Sequence, residues 1–274
     1  MDKFNLVIKI GSMALIRKEE NDIDYNILSR LSAELEPGVA LVSSGAVEIG
    51  RLDYIKRAGC ELQGDRVTVI TDYSAQGQAI LMAQYRQFIR PEYSLRQVLV
   101  EHTHFNDPIK REHIRNLLLR TVEQKAVAIV NYNDSVSAEE NRKWELASLR
   151  KSADRVVECI DNDETAAVVA DLLGARTLVI LTSTEGIYRD PNNPSTLVET
   201  VSGKDAEQLE QNIRMLQESC VGASRAGAGG AKAKLEYIIP PARSGTKIII
   251  GHSRHRVSDL LSGAVPCTKI SIGG

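Results

Sequence analysis

The feature that most constrains the fold is an alternation of short apolar runs with longer segments of helical period along the 274 residues. The apolar runs are rich in β-branched residues, and several lack polar alternation, as expected of parallel strands covered on both faces. The recurring order of strand and helix predicts a three-layer α/β/α sandwich with a mostly parallel central sheet. Right-handed crossovers would place the carboxyl ends of the strands at one edge, where ligands bind. The predicted strands are residues 4–10, 39–43, 97–100, 126–130, 177–181 and 247–250, and the predicted helices are residues 23–35, 73–89, 110–123, 164–173, 205–217 and 232–239.

Composition and charge exclude several classes of protein. The net charge of -2 leaves no excess of basic residues for a nucleic-acid partner. No apolar run approaches the roughly 20 residues of a membrane span, and the N-terminal run contains a lysine, unlike a secretory signal. We therefore expect a cytoplasmic protein. Cys60, Cys159, Cys220 and Cys267 lie far apart in sequence, so they predict neither a disulfide framework nor a zinc site.

Two segments show no regular period. Residues 135–154 are highly charged and connect the fourth predicted strand to a strand-like run at residues 156–160. Residues 222–230 are rich in glycine and precede a predicted helix. Such excursions in a compact domain are often functional loops or lids, and a solvated loop is the alternative for each.

Glycine turns follow the first two predicted strands. Gly11 and Ser12 follow the first, and Ser44 and Gly45 follow the second. Glycine allows a ligand to approach the backbone closely and permits positive φ. Small hydroxyl groups and free amides at the start of the next helix form an anion site. Neither turn is a Walker A loop, and a plain tight turn is the alternative for both.

Lysines stand at two positions where a cation is unusual. Lys9 lies inside the first apolar strand, where a lysine is rarely buried without a partner. At the carboxyl end of that strand it could reach phosphate oxygens, or it could extend into solvent. Lys232 and Lys234 begin the helix after the glycine-rich segment, and a cation there opposes the helix dipole. This placement indicates a bound anion, with freely solvated lysines as the alternative.

Polar side chains follow two further apolar runs. Residues 131–134 (NYND) come after the fourth predicted strand, and Asp161, Asn162 and Asp163 precede the helix at residues 164–173. Acids at a helix start can be simple caps, worth about 1 kcal/mol, but three polar residues exceed what capping needs. Phosphoryl transfer requires cations near the migrating group, an acid that positions them or a metal, and dipoles aimed at the oxygens. These motifs together favour such a site.

Seven motifs, in order along nearly the whole chain, resemble those of the amino acid kinase family and, within it, the glutamate 5-kinases. The helix motif A-x-G-Q and the pairing of N-x-N-D with D-N-D favour glutamate kinases over acetylglutamate or uridylate kinases. The motifs are VIKIGS (residues 7–12), LVSSGAVEIG (41–50), SAQGQAILMAQY (74–85), IVNYNDSV (129–136), DNDETAA (161–167), LTSTEGIY (181–188) and GAGGAKAKL (227–235).

This resemblance implies a carbamate kinase-like fold in a single amino acid kinase domain over residues 1–274. Its N-terminal part, residues 1–160, would bind the acceptor, and its C-terminal part, residues 161–274, would bind ATP. The implied reaction transfers the γ-phosphoryl group of ATP to the side-chain carboxylate of L-glutamate, the first step of proline biosynthesis. Mg²⁺ would bridge the ATP phosphates without a protein ligand, and no histidine base is needed because a carboxylate is already an ionised nucleophile.

The resemblance also implies roles for individual residues. The catalytic lysines would stabilise the transferred phosphoryl group and the catalytic aspartate would hold them, while backbone amides at the glycine turns would contact phosphate. The segment 135–154 would close over the acceptor as a lid. The implied residues are Lys9, Asp163 and Lys234 for catalysis; Ser44, Gly45, Asp134 and Asn162 for the acceptor; and Lys9, Gly11, Ser12, Thr182, Ser183, Gly227, Gly229, Gly230 and Lys234 for ATP.

Several positions depart from the family's pattern. Ser183 stands where the family usually has aspartate, Ala233 where it has threonine, Ala231 where it has methionine and His113 where it has asparagine. The segment 135–154 is longer than in typical glutamate 5-kinases. A kinase of the same fold with a different carboxylate or phosphate acceptor, and a non-catalytic nucleotide-binding protein, are therefore the alternatives. We expect no PUA domain, no nucleic-acid or membrane partner, and a homo-oligomer, either dimer or tetramer.

Overall fold

The computed structural model describes residues 4–137, 139–151, 156–159, 161–220 and 230–273. The chain divides into two compact units: the first comprises Met1–Ile10, Gly38–Val42 and Ile160–Gly274, and the second comprises Gly11–Pro37 and Ser43–Cys159. The strands are β1 (Leu6–Ile10), β2 (Ile16–Arg17), β3 (Asp22–Ile23), β4 (Val39–Ser43), β5 (Ser94–Val100), β6 (Ala126–Tyr132), β7 (Thr177–Thr182), β8 (Thr200–Gly203), β9 (Lys247–His252) and β10 (Cys267–Ile272). The helices are α1 (Tyr25–Ala33), α2 (Ala46–Ala58), α3 (Arg66–Phe88), α4 (His102–Asn106), α5 (Pro108–Glu123), α6 (Glu139–Leu149), α7 (Asn162–Leu173), α8 (Ala206–Ser219), α9 (Gly230–Arg243) and α10 (Val257–Ser262).

The first unit is built on strands in the order β4-β1-β7-β9-β10-β8. β7 pairs in parallel with both β1 and β9, while β10 runs antiparallel to β9 and parallel to β8. Every residue of β1 is buried, as expected of a strand that is apolar apart from Lys9 and covered on both faces. Helix α7 packs on β1 and β7, and α9 packs on α7. The predicted mostly parallel sheet is confirmed.

The second unit contains the parallel pair β5 and β6, the ribbon of β2 and β3, and six helices in its described residues. Helices α2 and α3 cross at two glycines that belong to the recognised motifs. A Cβ atom on Gly77 would lie 1.8 Å from the carbonyl oxygen of Ala46, and one on Gly50 would lie 1.9 Å from that of Tyr73. The glycine of the A-x-G-Q motif therefore serves close helix packing.

All six predicted strands and all six predicted helices are present, with ends that shift by several residues. Helix α9 continues through Pro240 and Pro241, where the prediction ended at residue 239. Helices α2, α4, α6 and α10 and strands β2, β3, β8 and β10 were not predicted. None of the helices in the described ranges is long and apolar enough to cross a membrane.

Two interpretations of the segment after β6 are wrong. The structure places helix α6 inside the supposedly irregular residues 135–154. The residues described at 156–159 are not a strand, although their sequence is strand-like. The helix was missed because it carries charged residues around most of its circumference, so its sequence has no apolar stripe at helical period.

Candidate active site

Three charged side chains meet in the first unit. Strand β1 places Lys9 one residue before its carboxyl end, opposite Ile180 of β7. Its ammonium nitrogen Nζ lies 2.6 Å from Oδ1 of Asp163, in the first turn of α7. The Nζ of Lys234, on α9, lies 2.5 Å from Oδ2 of the same aspartate. Lys9 is 9% exposed and Asp163 is 3% exposed, while Lys234 is partly buried, so the lysine–aspartate–lysine cluster is largely shielded from solvent.

The electrostatics of this cluster favour an anion. Burial by itself would raise the pKa of Asp163, but attraction to Lys9 and Lys234 outweighs it and holds the pKa below its ordinary value. Two lysines and one ionised aspartate leave a net charge of about +1 in a site with little water. Because each oxygen of Asp163 already faces a lysine, the uncompensated charge suits a ligand such as a phosphate group.

Helix capping does not explain Asp163. The cap of α7 is Asp161, whose Oδ1 accepts hydrogen bonds from the backbone N–H groups of Asp163 at 2.8 Å and Glu164 at 3.0 Å. Asp163 lies inside the helix, where its carboxylate turns to the two lysines. Asp161 is therefore the helix cap, and capping is not the role of Asp163. Asn162, a predicted acceptor residue, is the first residue of α7 and is partly exposed.

In the second unit, Asp134 follows β6 in a turn that its neighbours hold. The backbone N–H of Asn133 donates to the carbonyl of Val100 at 2.9 Å, and its side-chain amide donates to Glu101 at 3.2 Å. Among the described residues, none donates a hydrogen bond to the carboxylate of Asp134. Burial raises the pKa of Asp134 to about 6, against the opposing charge of Arg142. Such a carboxylate is suited to receive a ligand's cation.

The turn that carries Ser44 and Gly45 is fixed by a hydroxyl relay. The buried hydroxyl of Tyr85 lies 2.7 Å from Oγ of Ser43, which donates to the carbonyl of Ser44 at 2.9 Å. In a trans peptide the N–H of Gly45 then points away from that fixed carbonyl. Gly45 has a φ of 113°, which favours glycine, whereas Gly11 has a φ of -79°, which any residue adopts. Positive φ therefore explains why glycine stands at position 45, but it does not explain the glycine at position 11.

Thr182, predicted to lie along ATP, ends β7 in a tight local turn. Its hydroxyl oxygen accepts a hydrogen bond from the N–H of Thr184 at 3.0 Å, and Ser183 beside it is exposed. Glu185 then forms an ion pair with Arg254, and its Oε2 lies 2.7 Å from Nε2 of His255. Sequence analysis did not single out Glu185, because its partners lie about 70 residues further along the chain.

The predicted site residues thus fall into two groups. Lys9, Asp163 and Lys234 come together in the first unit, which also contains Asn162 and Thr182. The second unit contains the other group. It comprises Gly11, Ser12, Ser44, Gly45 and Asp134. Gly230 is the first residue of α9, whereas Gly227 and Gly229 lie outside the described residues. Ser12 begins a 3-10 helix over Ser12–Leu15.

Comparison with known proteins agrees with the fold. The amino acid kinase family matches residues 5–252, and the chain belongs to this family. It is 30% identical to glutamate 5-kinase 2 of Bacillus subtilis (strain 168), over 95% of this chain and 65% of that protein. It is also 30% identical to glutamate 5-kinase of Geobacillus thermodenitrificans (strain NG80-2), over 99% of this chain and 68% of that protein. The chain spans about two thirds of the length of these curated relatives.

A solved structure supports the same fold. Carbamate kinase from Giardia lamblia bound to AMP-PNP superposes with a TM-score of 0.60 at 15% identity, covering 98% of each chain. The predicted carbamate kinase-like α/β sandwich and the predicted resemblance to glutamate 5-kinases are confirmed. The roles of individual site residues stay predictions.

Asp163→Asn tests whether the carboxylate holds the two lysines. Loss of its charge leaves two buried cations close together, so we expect stability to fall by about 3 kcal/mol and turnover by at least about 100-fold. Asp161→Asn is the matched control, because asparagine caps a helix about as well as aspartate. Urea denaturation and steady-state rates measure both effects. Equal behaviour of the two variants would contradict the assignment.

Proposed function

We propose that this protein transfers the γ-phosphoryl group of ATP to the γ-carboxylate of L-glutamate and releases γ-glutamyl phosphate. The observation that carries the proposal is the buried cluster of Lys9, Asp163 and Lys234 in a chain of the amino acid kinase family. The relatives named glutamate 5-kinase, which match nearly the whole chain, favour glutamate as the acceptor. The reaction would be the first step of proline biosynthesis, carried out by a cytoplasmic homo-oligomer, either dimer or tetramer.

The chemistry of this transfer is mainly positioning and electrostatics. The attacking carboxylate is already ionised, so no protein base has to remove a proton. Lys9 and Lys234 would stabilise the charge on the phosphoryl oxygens during transfer, and Asp163 would keep both ammonium groups in place. Mg²⁺ would enter on the phosphates of ATP, because both oxygens of Asp163 already face lysines.

The acceptor would be recognised by its charged groups. The carboxylate of Asp134 suits the α-ammonium group of an amino acid, since the described residues give that carboxylate no hydrogen-bond donor. The hydroxyl of Ser44, the amide of Asn162 and the N–H of Gly45 suit carboxylate oxygens. Recognition of a small zwitterion by such hydrogen bonds would reject analogues that leave the polar groups of the protein unpaired.

The direct test is trapping of the acyl phosphate. Purified protein with ATP, Mg²⁺, L-glutamate and hydroxylamine should form γ-glutamyl hydroxamate, in step with release of ADP. Omission of glutamate gives the background rate. If ADP release depends instead on another acceptor, such as carbamate or a nucleoside monophosphate, the fold assignment stands and the glutamate assignment fails. If no acceptor gives ADP, the non-catalytic alternative is correct.

The pH dependence of glutamate use tests the role of Asp134. Because its raised pKa is about 6, this carboxyl is protonated below that pH and ionised above it. Only the ionised form pairs with an ammonium group, so kcat/KM for glutamate should fall as the pH drops through about 6. The pH dependence of kcat/KM reports the ionisation of groups in the free enzyme. The residual activity of Asp134→Asn should lack this acid limb, and an identical limb in both proteins would contradict the role.

A further inference from the structure

Helix α6 packs through one face, formed by Arg142, Glu145 and Leu146. These positions are three and four residues apart and so lie on the same side of a helix. Oε2 of Glu145 lies 2.8 Å from Nε2 of the buried His102, and Leu146 is buried. Trp144 is 81% exposed. The segment that the sequence predicted as an irregular lid therefore contains a helix that packs within the second unit.

The same face carries a guanidinium group to the residues around Asp134. Arg142 is half-buried, and its Cζ atom lies 5.6 Å from the centre of the Tyr132 ring. Tyr132 ends β6, two residues before Asp134, and its hydroxyl lies 2.8 Å from that of Ser137. Burial raises the pKa of Asp134, and the positive charge of Arg142 lowers it. Among the side chains that the structure describes, no carboxylate forms a direct ion pair with Arg142.

A guanidinium group at this place can bind a carboxylate. Its planar fork forms two parallel hydrogen bonds to carboxylate oxygens. Contact with an aromatic ring already restricts the orientation of the guanidinium group, so it loses little freedom on binding. Asp134, two residues after Tyr132, has the opposite charge. Together the two residues complement the ammonium and carboxylate groups that share the α-carbon of an amino acid.

We propose that Arg142 binds the α-carboxylate of the acceptor and so restricts the acceptor to α-amino acids with a second carboxylate. This proposal rests on the proposed function, because it assigns a residue to the same acceptor. It gives helix α6 a part in substrate selection. The competing possibility is a structural one, in which Arg142 only compensates the charge of Asp134.

Three acceptor analogues separate the two possibilities. L-glutamate carries all three charged groups, 4-aminobutyrate lacks the α-carboxylate, and glutarate lacks the ammonium group. The KM of each, or its Ki as a competitive inhibitor where it is not phosphorylated, is measured for wild type, Arg142→Met and Lys143→Met. Lys143 is the exposed neighbour on α6 and serves as the matched control.

Arg142→Met should raise the KM for glutamate about 10- to 100-fold, as expected for loss of a charged hydrogen bond. Its effect on 4-aminobutyrate should be less than about threefold, because that analogue has nothing for the arginine to bind. The KM for ATP should not change, Lys143→Met should resemble wild type, and Arg142→Lys should restore part of the affinity. An unchanged midpoint of urea denaturation for Arg142→Met, relative to wild type, shows that the substitution has not disrupted the fold.

An equal loss of affinity for glutamate and 4-aminobutyrate would overturn the proposal, since the arginine would then act through Asp134 or through the fold. Unchanged affinity for glutamate in Arg142→Met would overturn it as well. In both cases the wild-type protein would still phosphorylate glutamate, and the proposed function would stand. If the wild-type protein forms no hydroxamate from glutamate, the proposed function fails and the role of Arg142 fails with it.

Discussion

The two ion pairs of Asp163 are the interaction on which the candidate active site depends. Lys9 and Lys234 come from elements more than 200 residues apart in sequence, and each is directed to one oxygen of the same carboxylate. Without that carboxylate, two ammonium groups would face each other with little water to screen their repulsion. With it, they form a fixed cation that needs little rearrangement to meet a phosphoryl group. Such preorganisation is the largest single contribution to catalysis in many enzymes.

The fold supplies each part of this cluster for a local reason. Lys9 is buried because β1 is covered on both faces, and it stands at the carboxyl end of the strand, where ligands bind in α/β proteins. Asp163 is free to pair with lysines because Asp161 caps the helix. Lys234 lies far enough into α9 to contact the first turn of α7, and Lys232 is exposed instead.

Much of this could be predicted from the sequence. The apolar runs located the strands, and the resemblance to the amino acid kinase family implied that Asp163 holds Lys9 and Lys234. Helix α6 could not be found, because charged residues surround most of it and its packing depends on single contacts such as that between Glu145 and His102. The relay from Tyr85 to Ser43 joins residues 42 positions apart, and no local pattern reports such a pair.

We expect Lys234 to act on the phosphoryl group during transfer and to contribute less to holding ATP. The most direct measurement is a comparison of Lys234→Met with wild type, in which calorimetry gives the Kd of ATP and single-turnover kinetics give the rate of transfer. We predict that Lys234→Met lowers the rate of transfer by about 100- to 1,000-fold, with a Kd of ATP that changes only a few fold. A near-normal rate, or a loss that lies entirely in ATP affinity, would contradict it.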